Sequence, residues 1–511
     1  VHRKSQKFST IQKKLPSQIG SFRILKLEDK ALQDLRAKVI SGFAWESSTK
    51  LFVQILSWVS TIWVARILTP SDYGIVAISG VFVGLCLKLA GMGLGSAIVN
   101  KKSVSKSDLD NFFWVSNALA ILAYLLLYNL SPFISEYYEV PELNSVLRVA
   151  SLIIFVSSLS IVPRALLDRA MKFKHTAIIN GIASTSITVS ALAMAFSGFG
   201  YWTLIYSTIL GEVIMAAGVY IAHPYLPSGF GSFGNNRASY KYGANVLGSR
   251  IIDHINNQWV TIIGGAVLGK TLVGSYQMAR TIALIPLSKI SEIIFKIIFA
   301  SFSRIQDDIP RSKKIFIQMY RYLLLASAPM FSGIALVSDE LILLLLGEKW
   351  LTALIPIKII CISNIFMISN FFFYKVLDGL GRSDISLKYQ LIGLIAFPTL
   401  IYYASSWGLN AMLMAWFIVI PIGFIYLTMQ IFKVLDLTLY EFFQTVLPSL
   451  ASTLGMTAVL IAMNSILLAS ELPSAYILTL KILMGSFTYF TLLLIFFRSS
   501  FREVLTLIRS N

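Results

Sequence analysis

Residues 65–100 read ARILTPSDYGIVAISGVFVGLCLKLAGMGLGSAIVN. The run is a helix end, a tight turn and a new apolar helix. Pro70 stops the first helix, and Ser71 or Asp72 stands where a residue would cap the second. From Tyr73 to Val99 there is one charge, Lys88. A bilayer is crossed by about 20 apolar residues, so this run is long enough to span one.

The rest of the chain has the same character. Its 511 residues are 56% hydrophobic and 13% charged, against about 25% charged in soluble domains. The expected fold is an all-α polytopic membrane protein with about 14 transmembrane helices. The apolar segments run 37–67, 72–100, 108–135, 144–163, 173–197, 200–222, 241–268, 271–302, 315–337, 350–378, 386–405, 408–432, 442–469 and 474–497. The net charge of +18 is then read as topology, because Lys and Arg collect in cytoplasmic loops. Residues 1–38 hold ten Lys and Arg and no apolar core with a cleavage site, so they read as a basic cytoplasmic leader rather than a signal peptide. With that leader inside, every even-numbered connection is basic, from Lys101, Lys102 and Lys106 to Arg498, Arg502 and Arg509. The odd connections carry only Arg66, Lys270 and Lys349. Both termini are therefore expected in the cytoplasm. Basic residues scattered over many short loops argue against nucleic-acid binding.

An internal repeat orders the segments. Leu68–Gly74 (LTPSDYG) aligns with Leu268–Gly274 (LGKTLVG), an offset of 200 residues. Two six-helix lobes of the same orientation are expected, as in transporters with a pseudo-axis along the membrane normal. The organisation is a leader (1–36), an N-lobe (37–222), a Gly/Ser/Pro-rich cytoplasmic linker (223–240), a C-lobe (241–433), and an appended helix pair with a cytoplasmic tail (434–511).

Ionisable side chains at bilayer depth are costly and usually face a polar cavity or a partner. Arg250, Asp253, His254 and Asn257 form one stripe at helical spacing. The offset sets Lys50 against Arg250, and Lys88 within one residue of Lys289. A cationic cavity between the lobes would suit a phosphate or pyrophosphate. Its candidate residues are Lys50, Lys88, Arg250 and Arg280. The competing reading is internal ion pairs that pin helices: Glu46–Lys50, Arg250–Asp253, and Glu292 with Lys289 or Lys296. For Lys289 and Lys296 the pairing with Glu292 is the better reading. A straight helix would point Arg280 and Lys289 oppositely, so either Pro286 between them bends it or only one of the two cations faces the cavity. Glu46, Asp253 and Glu212 are the candidates for carrying a coupling proton or sodium ion. Lys358, Lys375, Asp378 and Lys481 lie near segment ends, where snorkelling accounts for them.

Other chemistry is thin. Cys86 and Cys361 lie in apolar runs, and His2, His175, His223 and His254 lack ligand spacing, so no metal and no cofactor is expected. The chain reads as having no ATP-binding phosphate loop and no hydrolase or zinc-protease motif. Its loops are too short to hold the catalytic domain of a membrane polymerase. It is expected not to be an enzyme.

The motifs also carry a resemblance. ARILTPSDYG (65–74), PRALLDRAMKF (163–173), GYWTL (200–204), GEKW (347–350) and GLGRSD (379–384) fall in order at the expected helix positions. From about Lys38 to Lys433 the chain resembles the bacterial polysaccharide transporters, of the colanic-acid-exporter type. These are lipid-linked oligosaccharide flippases of the multidrug/oligosaccharidyl-lipid/polysaccharide exporter superfamily. The resemblance implies an undecaprenyl-pyrophosphate-linked oligosaccharide as substrate, moved from the inner to the outer leaflet of the bacterial cytoplasmic membrane by alternating access. It implies an ion gradient as the drive, and membrane lipid and other polysaccharide-assembly proteins as partners. The basic leader is not part of that family pattern. The alternatives are a multidrug or small-solute exporter of the same superfamily, whose cavity would be acidic, and a membrane polysaccharide polymerase.

Overall fold

The structure, a computed structural model, describes residues 54, 56–229, 236–286, 298–299, 301–469 and 472–497. Among them there is no strand. The helices of the first half are α1 (Leu56–Ile67), α2 (Pro70–Gly91), α3 (Leu94–Asn100), α4 (Lys106–Tyr137), α5 (Glu142–Ala150), α6 (Leu152–Arg169), α7 (Phe173–Phe196) and α8 (Trp202–Ala222). The second half has α9 (Arg237–Ala283), α10 (Ile309–Leu345), a 3-10 turn at Glu348–Ala353, α11 (Leu354–Gly379), α12 (Ser383–Ser405), α13 (Leu409–Leu435), α14 (Leu439–Ala469) and α15 (Ser474–Phe496). Eleven described helical stretches are long and apolar enough to cross a membrane. The long α9 is not among them, because it carries Arg250, Asp253, Asn256, Asn257 and Gln258 along its length.

The turn that opens α2 is built differently from the expectation in one respect. Thr69, not Ser71 or Asp72, is the cap. Its hydroxyl accepts from the Asp72 backbone N–H, and the Asp72 carboxylate accepts from the Thr69 N–H at 2.7 Å, closing a capping box around Pro70 at the first helical position. The matching break in α9 is at Gly269, whose φ of 81° and ψ of 171° are not helical. Glycine adopts such a conformation without a Cβ penalty. α9 is thus two arms meeting at Gly269, and its second arm ends at Ala283, just before Pro286.

One buried cluster draws chiefly on α9, α10, α11 and α13, with Phe302, Phe316, Tyr320, Phe372 and Phe373 at its centre. A second draws on α2, α4, α5 and α6, with Ile78, Ala120, Leu143 and Ile154 fully buried. Each half therefore has its own core. Many large apolar side chains point outward, among them Leu122, Phe133, Ile395 and Phe487, all more than half exposed. An outward apolar surface on helices that satisfy their own backbone is what a bilayer demands. The hairpin α14–α15 packs on α10, where the Ser449 and Tyr489 hydroxyls donate to the Leu324 and Leu325 carbonyls at 2.7 and 2.8 Å.

Candidate functional site

The two halves meet along α2 and α9, which run antiparallel. Near the Thr69 end their backbones touch. A Cβ on Gly74 would lie 1.7 Å from the Lys270 carbonyl oxygen, and a Cβ on Gly274 would lie 1.7 Å from that of Pro70. Adding 200 turns one contact into the other: Gly74 becomes Gly274 and Pro70 becomes Lys270. The repeat seen in sequence is thus a pair of reciprocal contacts in space.

This end, the Thr69 face, is sealed by further contacts between the halves. Trp350 is fully buried, donates from Nε1 to the Ala65 carbonyl at 2.9 Å, and packs edge-on against Tyr73. Lys349 donates to the Arg66 carbonyl at 2.6 Å, while Arg66 donates from Nε to Leu345 at 2.7 Å and also to the Leu344 carbonyl. Lys270 pairs with Glu142 at 2.7 Å. The Tyr138 hydroxyl donates to the Ile262 carbonyl at 3.2 Å.

Beneath the seal lies a chamber of about 430 Å³. Ser60, Thr61, Ser207, Thr208, Gln258 and Gln277 supply its uncharged polar lining, and Tyr73 and Val64 its roof. At the opposite end, the Lys101 face, a wider cavity of about 800 Å³ is lined by Ser96, Arg164, Asp168, Tyr242 and Arg250. The cations sit deeper than mid-span. Lys88 is 18 residues past Pro70, and Arg250 is 19 residues before Gly269. At 1.5 Å per residue both lie about 27–29 Å below the Thr69 face. Arg280, 11 residues past Gly269, is about 16 Å down, beside the chamber residues Gln277 and Thr281.

Lys88 lies within electrostatic reach of Arg250 and donates to the Gly84 carbonyl at 3.3 Å. Arg250 donates to the Ser96 hydroxyl at 3.1 Å, and no ion pair joins it to Asp253 among the described residues. The internal pair expected as the alternative is therefore not formed. Arg280 reaches Asn257 at 3.3 Å. Asp253 is exposed and within electrostatic reach of Tyr374. Glu212 lies within electrostatic reach of Arg164. Lys50, Glu46, Lys289, Glu292 and Lys296 lie outside the described residues.

Three features were not read from the sequence. Arg164 lines the wide cavity with Arg250, because α6 continues through Pro163 to Arg169. A proline is tolerated in a membrane helix where neighbours satisfy the freed carbonyl, and ending the segment at Pro163 hid this cation. Lys481 does not snorkel. It is 2% exposed, bonds Glu340 at 2.5 Å and Asn464 at 2.6 Å, and links α10, α14 and α15. Finally, Gly264–Thr271 (GGAVLGKT) spells G-x-x-x-x-G-K-[ST], although no phosphate loop is read from the sequence. A phosphate loop needs that string between a strand and a helix. Here it is helix up to the Gly269 break, Gly265 packs against Tyr138, and the lysine pairs with Glu142. The string makes the helix contact and the turn.

The segment just after α8 is strapped to α4. The Tyr225 and Ser228 hydroxyls donate to the two Asp110 oxygens at 2.6 and 2.8 Å, and burial with that bond holds the Tyr225 phenol well above its ordinary range. No group of metal-ligating side chains occurs among the described residues.

A family model described as polysaccharide biosynthesis protein matches residues 63–355. The chain is 24% identical over 425 residues to the lipopolysaccharide biosynthesis protein WzxC of Escherichia coli (strain K12), covering 82% of this chain and 83% of that protein. It is 24% identical over 387 residues to the succinoglycan biosynthesis transport protein ExoT of Rhizobium meliloti (strain 1021), covering 76% and 78%. It is 21% identical over 435 residues to the teichuronic acid biosynthesis protein TuaB of Bacillus subtilis (strain 168), covering 83% and 89%. Among solved structures, the lipid II flippase MurJ in an inward closed conformation has a TM-score of 0.70 at 16% identity, covering 89% of this chain and 99% of that one. At that identity the likeness concerns the fold.

Proposed function

Because the chain belongs to the polysaccharide biosynthesis protein family, we propose that it is a flippase for a polyprenyl-pyrophosphate-linked oligosaccharide. It acts as a multi-pass protein of the bacterial cytoplasmic membrane, with about fourteen spans and both termini in the cytoplasm. The Lys101 face is then the cytoplasmic one. The two lobes, α1–α8 and α9–α13, alternate access by rocking about their seam, and α14–α15 are appended to the second.

The observation that carries the reading is the joining of a sealed Thr69 face to a cation-lined cavity at the Lys101 face. Arg164 and Arg250, one from each lobe, line that cavity, and Lys88 stands within electrostatic reach of Arg250. The diphosphate enters at the cytoplasmic mouth and is neutralised by them, Arg as a fork and Lys as a point charge. The hydroxyl- and amide-lined chamber above, with Arg280 beside it, receives the sugars, whose hydroxyls need matched donors and acceptors. Asp253 and Glu212 carry the coupling proton or sodium ion. No step of this cycle makes or breaks a covalent bond. A cationic-drug extruder would need an acidic mouth, which this is not.

The test is export by point variants. Arg250→Ala and Lys88→Ala should abolish surface polysaccharide at unchanged membrane level. Normal export by both would refute the cation assignment.

A further inference from the structure

A second polar site lies away from the seam. A cavity of about 250 Å³ is lined by Ala335, Leu336 and Asp339 of α10, Lys358 and Ile362 of α11, Leu460 and Asn464 of α14, and Lys481 of α15. Its chemistry is zoned. Asp339 and Lys358 pair at the mouth, both nearly half exposed at the side chain, with bonds from Lys358 Nζ to the Asp339 oxygens at 2.9 and 2.8 Å. Lys481 stands at the floor with a side chain only 3% exposed. Exposed apolar residues flank that ion pair: Ile362 and Ile461 in the lining, and Leu343 and Ile355 about one helical turn from Asp339 and Lys358.

A charged mouth in an apolar belt needs an occupant that is itself charged and membrane-borne. An ammonium has three donors. Lys481 uses two, on Glu340 and Asn464, and Lys358 uses two on Asp339. Each therefore has one donor left for an anionic oxygen. Asp339 has acceptor capacity beyond its two bonds from Lys358. The site thus offers two cations and one accessible carboxylate within a small volume, the complement of a phosphate with an amine a few atoms away. Asp339 lies six residues before the end of α10, and Lys481 seven residues after the start of α15, about 9–11 Å from those helix ends.

We propose that this cavity binds the headgroup of an amine-bearing phospholipid, phosphatidylethanolamine. Lys481 and Lys358 take the phosphate and Asp339 the ammonium. The lipid would lock the α14–α15 hairpin to the lobe formed by α9–α13.

The proposal is tested on the full chain in phosphatidylcholine nanodiscs doped with diazirine-tailed phosphatidylethanolamine, phosphatidylglycerol or phosphatidylcholine. Labelled peptides are mapped by mass spectrometry. The ethanolamine probe is expected to label 335–362 and 460–481 above both other probes. Lys358→Gln should lower that labelling about tenfold, the worth of one charge-assisted hydrogen bond, and leave labelling elsewhere unchanged. Ala335→Leu, which fills the cavity and leaves every charge in place, should lower it too. Equal labelling by the three probes, glycerol labelling above ethanolamine labelling, or indifference to both substitutions would overturn it.

Discussion

The reciprocal glycine contact gives the sharpest prediction. In Gly274→Ala the new Cβ starts 1.7 Å from the Pro70 carbonyl oxygen. That oxygen belongs to helix backbone and cannot rotate away. A tolerable separation is about twice as long, because heavy atoms not bonded to each other pack at about 3.5–4 Å. The two helices must part by about 1.5–2 Å, or carry an overpacking strain of about 1–3 kcal/mol. Alanine in a helix is itself favoured over glycine by about 0.5–1 kcal/mol, so any loosening arises from the contact and not from the helix. Strain confined to the sealed arrangement shifts the equilibrium toward an open Thr69 face by about 5- to 150-fold. Spin labels at the exposed residues Glu139 and Thr271 read this as a new long component in the distance distribution. Gly74→Ala should do the same, since it meets the Lys270 carbonyl at the same 1.7 Å. Gly333→Ala, with nothing within 4 Å, should not. An unchanged distribution in both contact variants, in protein that melts as the parent does, would refute the idea that this contact holds the seal.

Other outcomes follow from the same geometry. Trp350→Phe keeps the ring on Tyr73 and removes the bond to Ala65; about 1 kcal/mol of stability should be lost, read as a modestly lower Tm. Lys481→Met alone leaves Glu340 buried and unpaired, and should destabilise by about 3–5 kcal/mol, whereas Lys481→Met with Glu340→Met should be close to neutral. Denaturant or thermal unfolding in detergent separates the two. Arg164→Gln should weaken binding of a diphosphate-bearing lipid about tenfold or more, measured by thermophoresis with the purified chain, while Arg169→Gln, whose guanidinium caps the Ile98 and Lys102 carbonyls at 2.7 and 2.9 Å, should lower stability and leave that affinity unchanged.

Much of this architecture was legible because membrane helices announce themselves by length and hydrophobicity. The turn at Thr69–Pro70 and its echo at Gly269 were legible because turn chemistry is local, although which residue caps α2 depended on a side chain folding back three residues. The nearness of Lys88 to Arg250 was only half legible. Sequence gives which residues are charged, but their meeting depends on α2 and α9 crossing antiparallel. Arg164 was hidden by Pro163, since proline ends helices in water far more often than within a membrane bundle. Lys481 was hidden because snorkelling and burial look alike until Glu340, 141 residues away, is placed beside it. The phosphate-loop spelling at Gly264–Thr271 shows the converse: a motif without its strand has no phosphate site.

The central claim, that the chain moves a lipid-linked glycan across the membrane, is tested most directly by extracting polyprenyl-linked glycans from cells with and without it and assigning their leaflet. Cells lacking the protein should accumulate one complete repeat unit on its lipid carrier, confined to the cytoplasmic leaflet. Single repeats reaching the outer leaflet in those cells, or no change in any lipid-linked glycan, would contradict it.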